Sequence, residues 1–170
     1  MDPADVRYLF AYDRWATEKV LDQLDGLDAD LWARGGVVGD RGLGSILVHM
    51  LGAHQRWRLA FEGSEESPTP ELEPLPRPKE VVAAWRAELE ATGTFLAEVT
   101  PGFLAYVRDD VSVSVMLQHL ANHGTQHRSE AALLLTQAGR SPGEIDLILN
   151  AEEVAAGRLP DPLVGAADAA

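Results

Sequence analysis

The chain has 170 residues, of which 46% are hydrophobic, and it carries a formal net charge of -13. This length and composition suit one folded domain, and the negative charge argues against partners such as nucleic acid or an anionic membrane surface. Cysteine is absent, which excludes disulfides, thiolate ligands and a cysteine nucleophile. Any metal ion must therefore be held by histidine or carboxylate side chains.

The first predicted helix begins at the N-terminus. Asp2 can cap it, Pro3 suits its first turn, and apolar residues recur at helical spacing as far as Leu24. No basic stretch leads into an apolar one, and no apolar run reaches the roughly 20 residues of a membrane span. We therefore expect no signal peptide, no membrane anchor and a cytoplasmic location.

Two loops flank the second predicted helix, which runs from about Ser45 to Phe61. Residues 35–44 contain five glycines, and residues 63–78 contain five prolines together with several acids. The glycine-rich loop lacks the Lys-Ser/Thr pair of a phosphate-binding loop. The third predicted helix follows from Pro78 to about Val99, and Pro101-Gly102 should end it.

The C-terminal half contains the longest predicted helix, from about Ser112 to Ala138, with Gly139 as its C-terminal cap. Before it, residues 103–111 can form either a short strand or an irregular crossing. After it, a short helix is predicted from about Glu144 to Ala156.

These elements predict an all-α fold, an antiparallel four-helix bundle with long connections and a short C-terminal helix. The domain should span residues 1–157 and leave 158–170 as a flexible tail. Inward positions on the helical stripes predict a buried set, and the proline-rich loop 63–78 should be exposed. The predicted buried residues are Trp57, Leu89, Leu120 and Leu134.

Three of the five histidines lie four residues apart, at His119, His123 and His127. Side chains four residues apart lie on the same side of a helix, so two imidazoles can point at one ion. All three cannot share an ion, because eight residues rise about 12 Å along a helix. The spacing therefore leaves two candidate pairs. A metal site and ordinary hydrogen-bonded core histidines are both open interpretations.

The second helix offers His49 or His54 as a third ligand. They differ by about 140° around the helix. We favour His49, which shares an inward face with small residues, whereas His54 is placed beyond the edge of that face. On the longest helix, Gly124 costs about 1 kcal/mol relative to alanine. Either close approach of another helix or access for a ligand would explain it.

Three charged residues near the histidines have open roles. Glu130, one turn beyond His127, can accept a hydrogen bond from a ligand imidazole, bind metal, act as a base or lie on a solvated surface. Arg56 can bind an anionic cosubstrate or simply extend along the surface. Arg128 is expected to hold helices together or to pair with an acid.

The stretch HLANHGTQHRSEAALLLTQAGRSPGEIDLI (119–148) resembles the signature of the DinB/YfiT-like family. That signature has two histidines four apart, then Arg, a small residue and Gln or Glu, followed by a Gly and a Pro. SILVHML (45–51) resembles the second-helix motif of the family, with its single ligand histidine. YDRWA (12–16) resembles its first helix, where Asn is commoner than Asp at position 13. The resemblance covers roughly residues 5–150.

The resemblance implies a four-helix bundle, often dimeric, that holds a divalent metal ion through three histidines. Carried over by position, these are His49, His123 and His127. His119 is left as either an inward or a flanking residue, with donation of a hydrogen bond near the ligands as a further role. It also implies a transferase that uses a low-molecular-weight thiol of the bacillithiol or mycothiol type on a small electrophile. The damage-inducible label of the family refers to stress-response expression and not to DNA chemistry.

The leading hypothesis is therefore a metal-dependent thiol S-transferase, with Glu130 and Arg56 as candidate catalytic residues. The alternatives are a metal-dependent hydrolase without a thiol and a structural or sensing protein. A ferritin-like di-iron protein is disfavoured, because no Glu-x-x-His motif occurs. Nitrogen ligands suit zinc or nickel, with iron or manganese as alternatives. Because ligand imidazoles must be neutral, we expect metal loss below a pH near ~6.5.

Overall fold

The computed structural model describes residues 1–36, 38–66 and 74–164. The fold is predominantly helical, as predicted. The long helices are α1 (Pro3–Leu21), α3 (Leu43–Phe61), α4 (Pro78–Ala97) and α6 (Val113–Gln137). The short helices are α2 (Ala29–Ala33), α5 (Pro101–Ala105) and α7 (Leu147–Ala155). Two short antiparallel strands, β1 (Val107–Arg108) and β2 (Val111–Ser112), form a hairpin before α6.

Side-chain caps fix the starts of several helices. Asp2 and Asp5 form a reciprocal capping box at α1, each accepting the backbone N–H of the other at 2.9 Å. Ser112 accepts the N–H of Val115 at the start of α6, where the sequence places it. Asp146 caps α7, which therefore begins three residues later than Glu144.

The structure differs from the predicted elements mainly in its shortest ones. The helices α2 and α5 were not predicted, since a five-residue helix has no room for a repeating apolar stripe. Pro101 begins α5 rather than marking only an end. A 3-10 turn over Asp22–Leu24 completes the first predicted helix.

The four long helices contact one another in a closed ring, α1 with α6, α6 with α3, α3 with α4, and α4 with α1. Two apolar clusters fill the interior. One joins the end of α1, the first halves of α3 and α4 and the second half of α6. The other joins the start of α1, the end of α4, α5 and the first half of α6. A layer of buried polar side chains lies between these clusters along the helices.

The burial predictions hold for Leu89, Leu120 and Leu134, which are all buried. Trp57 is only partly buried, contrary to the prediction. It lies at the edge of the second cluster, where its ring packs against Phe61 and His119.

The described ends of the proline-rich loop are mostly exposed, as predicted, but Leu75 and Pro76 are partly buried. The Pro76 carbonyl accepts a hydrogen bond from Trp32 Nε1 at 2.8 Å. Residues 67–73 of that prediction and 165–170 of the tail lie outside the described residues. The described tail residues 158–164 are mainly exposed. No helix in the described ranges is long and apolar enough to cross a membrane.

Candidate metal centre

His49 of α3 meets His123 and His127 of α6 in one cluster. One ligand nitrogen from each residue lies within 4.8 Å of the other two. The Nε2 atoms of His49 and His123 are 3.3 Å apart. Two nitrogens bound tetrahedrally to one zinc-like ion are separated by about 3.4 Å. The cluster therefore has three donor nitrogens that could hold a divalent metal ion, with one pair already at the metal-bound separation.

Glu130 fixes the orientation of His127. Its carboxylate lies 2.6 Å from His127 Nδ1 and accepts the hydrogen of that nitrogen. The Nε2 atom of the same ring then keeps its lone pair for a metal ion. This geometry agrees with the first of the predicted Glu130 roles, acceptance of a hydrogen bond from a ligand imidazole.

Arg41, which the sequence analysis did not single out, also borders the cluster. Its guanidinium Nη2 lies 3.3 Å from His49 Nδ1. Arg41 is part of the glycine-rich loop and forms an isolated β-bridge with Val38. The loop composition predicts a turn, but nothing in it indicates that the turn brings an arginine side chain to His49.

Burial keeps the imidazole of His123 neutral. Desolvation, with smaller contributions from the neighbouring His127 and His49, lowers the pKa of His123 to about 4. Its Nδ1 atom is buried without a hydrogen-bond partner in the part of the chain that the structure describes. Protons therefore compete with a metal ion for His123 only well below pH ~6.5, the usual pKa of a histidine.

A buried ion pair anchors α6 to α1 beside the cluster. Arg128 donates to Asp13, and each side chain is 1% exposed. Arg128 also donates to Thr125 at 3.1 Å. A Cβ atom at Gly124 would lie 2.7 Å from Asp13 Oδ1 and 2.8 Å from Arg128 Nη1. Of the two explanations for Gly124, close approach of another helix is therefore correct.

The prediction that His54 lies beyond the edge of the inward face is wrong. His54 lies in the core. It is 1% exposed, and its ring packs edge-on against Trp85 of α4 at 5.1 Å. Its Nε2 is 3.9 Å from Asp13 Oδ2. Because α3 packs against both α4 and α6, its buried arc is wide enough for His49 and His54 to be covered on different sides.

The remaining candidates, His119 on α6 and Arg56 on α3, lie outside the histidine cluster. His119 is exposed, with its ring centroid 6.0 Å from that of His123 and 6.0 Å from that of Trp57. Arg56 is partly buried and lines a cavity of about 390 Å³ with Trp57. The structure thus brings His123 together with His49 and His127, while His119 and Arg56 flank them.

The chain is thus a helical protein in which α3 and α6 supply three converging imidazoles to a candidate metal centre. The model of the DinB family matches residues 2–158. The chain therefore belongs to the DinB family, as its motifs suggested. Searches of curated proteins and of solved structures gave no match.

Proposed function

We propose that the protein is a divalent-metal-dependent transferase that joins a low-molecular-weight thiol, of the bacillithiol or mycothiol type, to a small electrophile. The arrangement of ligand atoms carries this proposal. Three imidazoles converge, and no fourth His, Asp or Glu of the described residues joins their cluster. Glu130 accepts a hydrogen bond from His127 Nδ1, which leaves the Nε2 atom of that ring for a metal ion. A metal ion held by these three ligands alone would keep a coordination position open for chemistry.

A divalent ion in such a site supplies an electrophilic centre that lowers the pKa of a thiol or water bound at its open position. The chain contributes three imidazole ligands and holds the Nδ1 hydrogen of His127 on Glu130. It has no cysteine, so the nucleophilic sulfur of a transfer reaction has to come from a cosubstrate. Zinc or nickel is proposed as the metal, with iron or manganese as alternatives.

Elemental analysis followed by a thiol-dependence assay tests this function. We expect one metal ion per chain and consumption of an electrophile such as 1-chloro-2,4-dinitrobenzene only when a thiol is present. The His49→Ala variant should lose both the metal and the activity. Equal consumption without thiol would favour hydrolysis, and a loaded protein inactive with every thiol would favour a structural metal.

The antiparallel arrangement of the four long helices is proposed as the finer description of the fold. Its support is the closed ring of helix contacts. In addition, His49 meets His123 and His127, while Trp57, later in α3, meets His119, earlier in α6. Opposite helix directions produce this order. One domain over residues 1–157 and a homodimer are proposed with it, and light scattering of the purified protein tests the dimer.

A further inference from the structure

The exposed side of α6 carries no carboxylate, lysine or arginine, although these charged residues make up 24% of the chain. The structure describes this helix throughout, and its two charged residues are covered: Arg128 is buried against Asp13, and Glu130 is partly buried against His127. The exposed residues of α6 are Val115, Gln118, His119, Asn122, Thr125, Gln126, Ser129, Leu133, Thr136 and Gln137. A helix face that meets only water normally carries charged residues, so the outer side of α6 has the composition of a contact surface.

The comparison with α4 shows that this composition is local. That helix is of similar length and also has an outer side, where it exposes Lys79, Glu80, Arg86 and Glu90. Both helices belong to a chain with a net charge of -13. The lack of exposed charge is therefore a property of α6 and does not follow from the composition of the whole chain.

The exposed residues of α6 include a straight strip. Val115, Asn122 and Ser129 follow one another at intervals of seven residues, and Leu133 comes four residues later. All four lie within about 40° around the helix, and the strip is about 27 Å long. The apolar residues at its two ends, Val115 and Leu133, are 52% and 55% exposed. We call these four residues the α6 strip.

A groove of about 660 Å³ runs beside the α6 strip. Asn122 and Ser129 form part of one wall, Leu9 of α1 lies in the groove, and Leu147 at the start of α7 borders the other side. Leu147 and the next residue, Ile148, are both exposed. The strip, the groove and the first turn of α7 thus form one surface that has apolar side chains next to a cleft. Its acids, Glu144 and Asp146, are exposed at the rim.

We propose that this surface binds the same surface of a second copy of the chain, related by a two-fold axis. Two chains of net charge -13 repel each other, and like charges brought face to face cost several kcal/mol. A two-fold contact brings the same patch of both chains together, so an acidic protein needs an uncharged patch for it. The α6 strip meets this requirement, and it offers no charged group to an acidic or basic partner of another kind.

The inference names the surface of the homodimer proposed above and does not depend on the transferase chemistry. Ser129 and Thr94 provide a matched test. Both are exposed residues of long helices, and each hydroxyl donates to the carbonyl four residues earlier, at 2.8 Å for Ser129 and 3.1 Å for Thr94. Replacement by glutamate removes the same hydrogen bond and adds the same charge at both positions. Only Ser129→Glu places that charge in the proposed contact.

Sedimentation velocity over a range of protein concentrations measures the dimer. We expect a dimer for the unmodified protein and for Thr94→Glu, and a dissociation constant about 100-fold higher for Ser129→Glu, because its carboxylate is desolvated without a cation. Asn122→Glu repeats the test at the middle of the strip, and circular dichroism and metal content verify that each variant is folded. Since the surface has no ion pair to screen, raising salt from about 0.05 to 0.5 M should strengthen the dimer.

Three results would overturn the surface. Dimers that persist in both Ser129→Glu and Asn122→Glu would place the contact elsewhere. Equal dissociation of Thr94→Glu would show a general effect of charge, and a dimer weakened by salt would show a contact held by ion pairs. A monomeric unmodified protein would reject the homodimer together with its surface. The thiol-dependence assay of the same samples judges the proposed transferase separately, since none of these changes touches the histidine cluster.

Discussion

Glu130 contacts the candidate metal centre through one hydrogen bond, which it accepts from His127 Nδ1. Removal of such a partner from a ligand imidazole typically lowers metal affinity 10–100-fold. We expect Glu130→Ala to show a loss of about this size in competition with a chromophoric chelator. Glu130→Gln retains an acceptor oxygen and should lose less. Gln118→Ala, an exposed change on the same helix, is the control, and unchanged affinity in Glu130→Ala would remove the orienting role.

The two histidines of α3 should respond differently to replacement by alanine. His49→Ala removes a proposed ligand and should sharply reduce the metal content measured by elemental analysis. His54→Ala should keep the metal but lower the free energy of unfolding by about 2 kcal/mol, because it empties a fully buried position. A metal-depleted His54→Ala protein that remains folded would show that the ligand set is assigned wrongly.

At the scale of the helix, Gly124 and Gly93 form a matched pair. Glycine to alanine in a helix normally gains up to about 1 kcal/mol. At Gly93 of α4, a Cβ atom meets nothing within 4 Å, so Gly93→Ala should be stabilising. At Gly124 the same atom would press on the Asp13–Arg128 pair. Gly124→Ala should therefore be destabilising, by about 1–3 kcal/mol.

Urea denaturation of both variants measures this difference. The sign is decisive, because the two substitutions add the same atom to helices of similar length. If Gly124→Ala were as stable as Gly93→Ala, the ion pair could move aside at no cost, and close helix approach would not be the reason for this glycine.

The long helices were predictable from the sequence because each repeats its apolar stripe over several turns and has a recognisable end. Ser112 before α6 and Pro78 at the start of α4 are examples. The short helices α2 and α5 offered no such repeat. The spacing of His123 and His127, together with the family motifs, predicted the histidine cluster. Spacing by itself left His119 as an alternative partner of His123.

The rest of the site depends on contacts between distant parts of the chain. The burial of His54 follows from the packing of α3 against two helices at once, which a single helical wheel does not represent. The choice of Asp13 as the partner of Arg128 spans 115 residues. The approach of Arg41 to His49 requires the path of a loop. None of these has a local periodicity from which it could be read.

For the molecule as a whole, histidine burial predicts an acid-sensitive metal-free state. In the unfolded chain His123 takes up a proton near pH ~6.5, whereas in the folded chain its pKa is about 4. The unfolded state therefore binds more protons between these values. The free energy of unfolding should fall as pH decreases through this window, and His123 should add no further loss below it. Desolvation lowers the pKa of His54 as well, with the same sign.

Urea denaturation of chelator-treated protein from pH 7 to pH 4 measures this effect, and the His123→Gln variant is the comparison. Glutamine does not titrate, so the variant should show a shallower decrease in stability across the window. Parallel curves for the two proteins would mean that His123 is not buried as a neutral group in the metal-free state.

The pairing of Asp13 with Arg128 also sets an order of events during biosynthesis. A ribosome adds about 5–20 residues each second, so the 115 residues between these partners take roughly 6–23 s to make. Throughout that interval the first helix carries a carboxylate that cannot enter the core without its arginine. His123 and His127, which form the cluster with His49, are likewise synthesised later, in α6. Nascent chains that stop before α6 therefore lack both the partner of Asp13 and two of the three histidines of the candidate metal centre, and we expect them to remain unfolded and sensitive to proteases.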